Sequence, residues 1–98
     1  MSFEAYGKIT LMRVFIIYHP NSEHSRSVEE YARDFARQMS HDIELISLES
    51  REGAYLATLY DVVQYPAILA VDSQSRLLKS WQGPDLPLMD DVSYYTQD

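Results

Sequence analysis

The chain has no cysteine at all. Disulfides, thiolate nucleophiles and sulfur-held metal centres are therefore excluded. Basic residues are scarce as well: 8 Lys and Arg stand against 15 Asp and Glu, a formal net charge of −7. Such a surface repels phosphate backbones and anionic headgroups, which argues against nucleic-acid binding and against membrane attachment. No apolar stretch approaches the roughly 20 residues that cross a bilayer. Met1 to Thr10 includes Glu4 and a single Lys and has no apolar signal-peptide core, so a cytoplasmic location is the default. Internal repeats and low-complexity tracts are also lacking.

What is present is sufficient for one small domain. The 98 residues are 46% hydrophobic and include 8 Tyr, 3 Phe and 1 Trp, enough for one core. Residues 1–11 read as an N-terminal extension or an extra strand, and residues 12–98 as the domain proper. Val14-Phe15-Ile16-Ile17-Tyr18 is a continuous β-branched and aromatic run, the pattern of a strand buried on both faces. His19-Pro20-Asn21 breaks it. From Ser27 the apolar residues Val28, Tyr31, Ala32, Phe35, Ala36 and Met39 fall on one face of a helix, with Ser27 and Glu30 spaced as a capping box and Ser25 or Ser22 as the cap for an earlier start.

Ile43, Leu45, Ile46 and Leu48 mark a second strand. A shorter helix is expected over Glu52–Tyr60, with Tyr55, Leu56, Leu59 and Tyr60 inward. Ala67–Val71 is a third strand, and Asp72-Ser73-Gln74-Ser75 turns it into Leu77–Gln82 as an antiparallel hairpin stopped by Gly83-Pro84. The tail from Leu86 to Tyr95 is expected to close the domain as a helix, with Leu88, Met89, Val92 and Tyr95 inward and Pro87 near its first turn. The order β-α-β-α-β-β-α implies an α/β three-layer sandwich, a mixed four-stranded sheet flanked by helices.

Three segments carry a family resemblance. Pro20-Asn21-Ser22-Glu23-His24-Ser25-Arg26 lies between a strand and a helix, Tyr60-Asp61-Val62-Val63-Gln64-Tyr65-Pro66-Ala67 leads into the third strand, and Leu69–Gly83 forms a terminal hairpin. Together they resemble the thioredoxin-like superfamily, which includes thioredoxins and glutaredoxins, from about Val14 to Tyr95. The resemblance places Ser22 and Ser25 at the two positions of the family's Cys-x-x-Cys motif and Pro66 at its cis-proline. It also implies a peptide-binding groove beside that proline.

Dithiol exchange needs a thiolate at a helix N-terminus, and a serine hydroxyl is not brought to its alkoxide there. A hydrolytic role for Ser22 would need a base and an orienting acid, and no Gly-x-Ser-x-Gly elbow is present. His19, Glu23, His24 and His41 match no compact metal-ligand spacing. Tyr31, Tyr55 and Tyr60 read as core residues and Trp81 as core or edge cover, while Tyr18 and Tyr65 are expected to flank the loop tip. Asp90, Asp91 and Asp98 read as solvated charges.

The expected function is a redox-inactive module that binds a protein or peptide, preferably basic, through Ser22, Glu23, His24, Ser25, Tyr65 and Pro66. The sequence calls for no cofactor and no metal. Two alternatives stand beside this reading. One is a transferase-like enzyme in which Ser22 holds a glutathione thiolate; Gly83-Pro84-Asp85 resembles part of the family's glutathione signature, but the usual preceding Gly-Gly is absent. The other is a structural subunit of a larger assembly.

Overall fold

In a computed structural model describing residues 12–96, the apolar run becomes strand β1 (Arg13–Tyr18), buried from Val14 onward. The extension or strand expected over residues 1–11 lies outside the described residues. Two further runs flank β1 in the sheet. Strand β2 (Glu44–Ser47) pairs with it in parallel, from Phe15 opposite Glu44 to Tyr18 opposite Ser47. Strand β3 (Ala67–Val71) pairs antiparallel on the other side, from Arg13 opposite Val71 to Ile17 opposite Ala67. Strand β4 (Leu77–Gln82) adds antiparallel to β3, giving the order β2-β1-β3-β4.

Period-two alternation in β1 and β3 divides the core into two layers. Val14, Ile16, Tyr18, Ile68 and Ala70 face one side, where Val28 and Phe35 of helix α1 (Ser25–Met39) and Val92 of helix α3 (Met89–Ser93) cover them. Phe15, Ile17, Ala67, Leu69 and Val71 face the other, under Leu56 and Ala57 of helix α2 (Arg51–Leu59). The expected mixed four-stranded sheet between helical layers is present.

Local details differ from the sequence reading, each for a physical reason. Helix α1 starts at Ser25, and the side chain of its N-cap residue His24 makes no capping hydrogen bond. His24 is already in the right-handed helical region (φ −92°, ψ −4°) because the chain enters from a tight turn, so Ser27 and Glu30 sit inside the helix instead of at its start. Helix α2 is capped by Ser50, whose Oγ accepts a hydrogen bond from the Gly53 amide at 2.9 Å.

Its inward face is Gly53, Leu56 and Ala57, with Tyr60 half-buried; Tyr55 and Leu59, expected inside, are 64% and 48% exposed. Gly53 decides this rotation. A Cβ there would overlap the Ser47 carbonyl oxygen, so only glycine lets the helix settle against the end of β2. At the C-terminus, Leu88 is extended (φ −63°, ψ 143°) and 74% exposed instead of inward. The expected helix shrinks to α3 and a 3₁₀ turn over Tyr94–Thr96. Asp72 organises the hairpin turn, its Oδ1 accepting from the amides of Gln74 and Arg76 at 2.8 and 2.9 Å.

Tyr31 ties α1 to the segment before α3 by donating its hydroxyl to the Pro87 carbonyl at 2.8 Å. Burial, with the Asp91 carboxylate as the smaller cause, pushes its phenol up to about 12 from 10.0. A raised folded-state pKa means the native state holds this proton more tightly than the unfolded chain. The resulting stabilisation is whole below pH 10 and disappears as pH rises toward 12. Tyr31→Phe is expected to cost about 1 kcal/mol near neutrality. The stability advantage of wild type over the variant should then shrink across that alkaline window, as read by urea unfolding at several pH values.

Candidate functional site

Pairing of Ile17 with Ala67 brings the end of β1 alongside the start of β3. The loop His19–His24 and the segment Val62–Pro66 consequently emerge side by side. Each is held by its own short-range bonds. In the first loop, the Ser22 amide and hydroxyl both donate to the His19 carbonyl, at 3.1 and 2.8 Å. Ser22 Oγ also accepts from the His24 amide at 3.3 Å, and the Ser25 amide donates to the Ser22 carbonyl at 3.2 Å. Ser22 is thus a turn-forming residue whose proton is taken by a carbonyl. No base receives it, which is the wrong arrangement for a nucleophile.

The second segment is pinned from β4. The Tyr65–Pro66 peptide bond is cis, Pro66 is buried, and its carbonyl accepts from the Gly83 amide at 3.0 Å. Gly83 has φ +110°, a conformation that side chains resist. Gln82 Oε1 accepts from the amides of Val63 and Gln64 at 2.9 and 3.2 Å, while its Nε2 donates to Ser80 Oγ at 3.1 Å. One side-chain amide therefore holds the approach to Pro66. Among the described residues, neither the amide nor the carbonyl of Tyr65 is bonded to another protein group.

The two segments meet through His19 and Tyr65, whose rings contact edge-to-face with centroids 5.4 Å apart. Ser22 is joined to Pro66 by this chain of neighbours: hydroxyl to the His19 carbonyl, His19 ring to Tyr65, Tyr65 to proline. Exposed Glu23 and half-buried His24 form the lip, with Oε2 and Nε2 3.9 Å apart. Ser25 opens helix α1. Beside Tyr65 an open cleft of about 460 Å³ runs along α2 between Leu48, Ala57, Val62 and Val63. Val63 is 79% exposed at its rim.

One expectation about a side chain is corrected here. Tyr18 does not flank the loop tip; its ring lies in the core under α1. Burial raises its phenol pKa, with Glu29, 3.5 Å from its hydroxyl, adding to the shift. His41 lies far from the other histidines, lining a hollow with Met12, Arg13 and Thr96 at the opposite end of β1. Among the described residues, no three His, Asp or Glu side chains gather as a metal site would require. His19, Gln82 and Gly83 were not singled out for this site from the sequence. Their roles depend on which strands are neighbours, and no local pattern records that.

No protein-family profile matches the chain, and no curated protein matches it. Solved structures do. The germline-specific thioredoxin Deadhead of Drosophila melanogaster superposes with a TM-score of 0.63 at 18% identity, covering 93% of this chain and 83% of that one. Thioredoxin 1 of Thermosipho africanus gives 0.59 at 13% identity, over 85% of this chain and 88% of that one. A designed protein gives 0.61 at 20% identity, over 97% and 84%. The fold is thioredoxin-like, and the site described above lies at the end of β1 in that fold.

Replacing Ser22 with Ala removes both of its side-chain hydrogen bonds in a partly exposed turn. A loss of about 0.5–1.5 kcal/mol in chemical denaturation is expected. The loss should be accompanied by faster amide exchange at His24, whose N–H loses its acceptor.

Proposed function

We propose that this protein is a redox-inactive thioredoxin-like module that recognises an extended peptide without covalent chemistry, at the surface formed by Ser22, Glu23, His24, Ser25, Tyr65 and Pro66. The observation that supports the reading is the Tyr65 backbone, whose donor and acceptor have no partner among the described residues, beside an open cleft lined by Leu48, Ala57, Val62 and Val63 together with Thr58 and Asp61. An extended peptide would exchange one pair of main-chain hydrogen bonds with Tyr65 and lay an alternate side chain into the cleft. The negative surface favours a basic partner and speeds its approach. In this reading Ser22 and Ser25 occupy the family's two sulfur positions. The Ser22 hydroxyl shapes the turn, and with no cysteine anywhere in the chain no disulfide can form. A cytoplasmic setting goes with the same reading.

A capped Val-Lys-Val-Lys-Val peptide titrated into the isotope-labelled protein should move the amide signals of Tyr65, Gln64 and His24 saturably. Methylating the peptide's central amide should weaken binding about tenfold, the effect of one lost hydrogen bond. Absence of any shift at Tyr65 would overturn the proposal. So would saturable glutathione binding at Ser22 accompanied by turnover of an electrophilic thiol acceptor, which would make the protein a transferase.

The positional assignment has its own test. The double variant Ser22→Cys, Ser25→Cys should form an internal disulfide and gain measurable disulfide exchange. A folded variant that shows no exchange would mean that this loop does not occupy the family's dithiol position.

A further inference from the structure

We infer a second binding site, independent of the Tyr65 groove, in the angle between β4 and the C-terminal turns: a pocket for the side-chain cation of a basic polypeptide. A cavity of about 450 Å³ opens there, walled by Trp81 and Lys79 of β4, Asp90 and Asp91 of α3, and Tyr94 and Tyr95 of the closing 3₁₀ turn. Three aromatic rings and two carboxylates from three elements meet there, and the tertiary fold brings Trp81 of β4 against the C-terminal turns.

The rings are arranged as a connected wall. Trp81 meets Tyr95 edge-to-face at 5.6 Å, and Tyr95 meets Tyr94 edge-to-face at 4.9 Å. Trp81 and Tyr95 are half-buried against the core, whereas Tyr94 is 65% exposed. Aromatic faces carry partial negative charge and attract ammonium and guanidinium groups. The protein already provides a specimen of that ligand. Lys79 places its own ammonium over the indole of Trp81, 5.9 Å from the ring centroid.

The carboxylates supply the complementary charge. Neither Asp90 nor Asp91 is in an ion pair among the described residues, although four arginine–carboxylate pairs occur elsewhere on the surface. Two acids without an ion-pair partner among the described residues, lining an aromatic pocket, select a cation over a neutral apolar group. The net charge of −7 would draw a basic segment toward the same surface. Lys79 then acts as a resident competitor, sitting on the best aromatic face and repelling an incoming charge until displaced.

Trp81 is the chain's single tryptophan, so its fluorescence reports on this pocket alone. A capped pentalysine peptide titrated into the full chain should change that fluorescence saturably, and the same peptide with every lysine acetylated should not. Tyr94→Ala, which changes no charge and removes an exposed ring, should weaken binding at least threefold. Asp91→Asn should weaken it more than Glu30→Gln, a control that removes one equally negative exposed residue from α1. Lys79→Met should strengthen it at least twofold. The inference is overturned by an equal response to the acetylated peptide, by unchanged affinity in Tyr94→Ala with an unaltered thermal midpoint, by equal losses in the two acid variants, or by weaker binding in Lys79→Met. Shifts at Tyr65 report the groove and fluorescence at Trp81 reports this pocket, so failure of one site is distinguishable from failure of the other.

Discussion

Antiparallel pairing of β1 with β3 is the contact on which everything else in this molecule depends. Ile16 and Ile68 face each other across it, as do Phe15 and Leu69, and all four are fully buried. Because side chains alternate, a slip of one residue would exchange the two core layers and place Phe15 and Ile17 under the wrong helices. The same register sets Ile17 beside Ala67, which brings the loop after β1 next to the cis Tyr65–Pro66 bond. Core packing and site geometry are thus one constraint: the side chains that fix the register also fix which two loops meet.

The two faces of the sheet are finished differently, and the difference places the two surface features. Under α2 the helix lies close because Gly53 and Ala57 are small, which leaves the open cleft between that helix and the Tyr65 segment. On the other face α1 is long and covers most of the layer, while α3 is a single turn and a half that covers only its end. Trp81 and Tyr95 are left half-buried there, and their outer faces form the aromatic wall of the second pocket. The Ser22 hydroxyl organises a turn through its hydrogen bonds with the His19 carbonyl and the His24 amide, and no helix terminus brings a serine hydroxyl to the charged form that a thiol reaches with ease.

Legibility followed the strength of the periodic signal. Val14–Tyr18, Val28–Met39 and Ala67–Val71 were readable because burial on two faces or along one helical stripe leaves an unambiguous pattern. Helix α2 was located correctly but its inward face was not. Tyr55 and Leu59 outweigh Gly53 and Ala57 in apolar area, yet it is the small residues that permit close approach to β2. The C-terminal helix was overextended because apolar spacing from Leu86 onward looked continuous, whereas the chain is still extended at Leu88. Ser22 and Pro66 were recognised from neighbouring sequence, but their partners His19, Gln82 and Gly83 were not, since each acts across a strand pair.

What the sequence determined by itself was the set of elements, the α/β layering and the exclusion of all thiol chemistry, since these follow from local periodicity and from residue types that are or are not there. Only the tertiary structure decided which groups meet: His19 with Tyr65, Gln82 with the amides before Pro66, and Trp81 with Tyr95 beside Asp90 and Asp91. The physical reason is that alternation and helical period state how each segment buries itself. The choice of neighbour comes from packing several such segments at once, with register and helix approach settled by shapes as small as one missing Cβ.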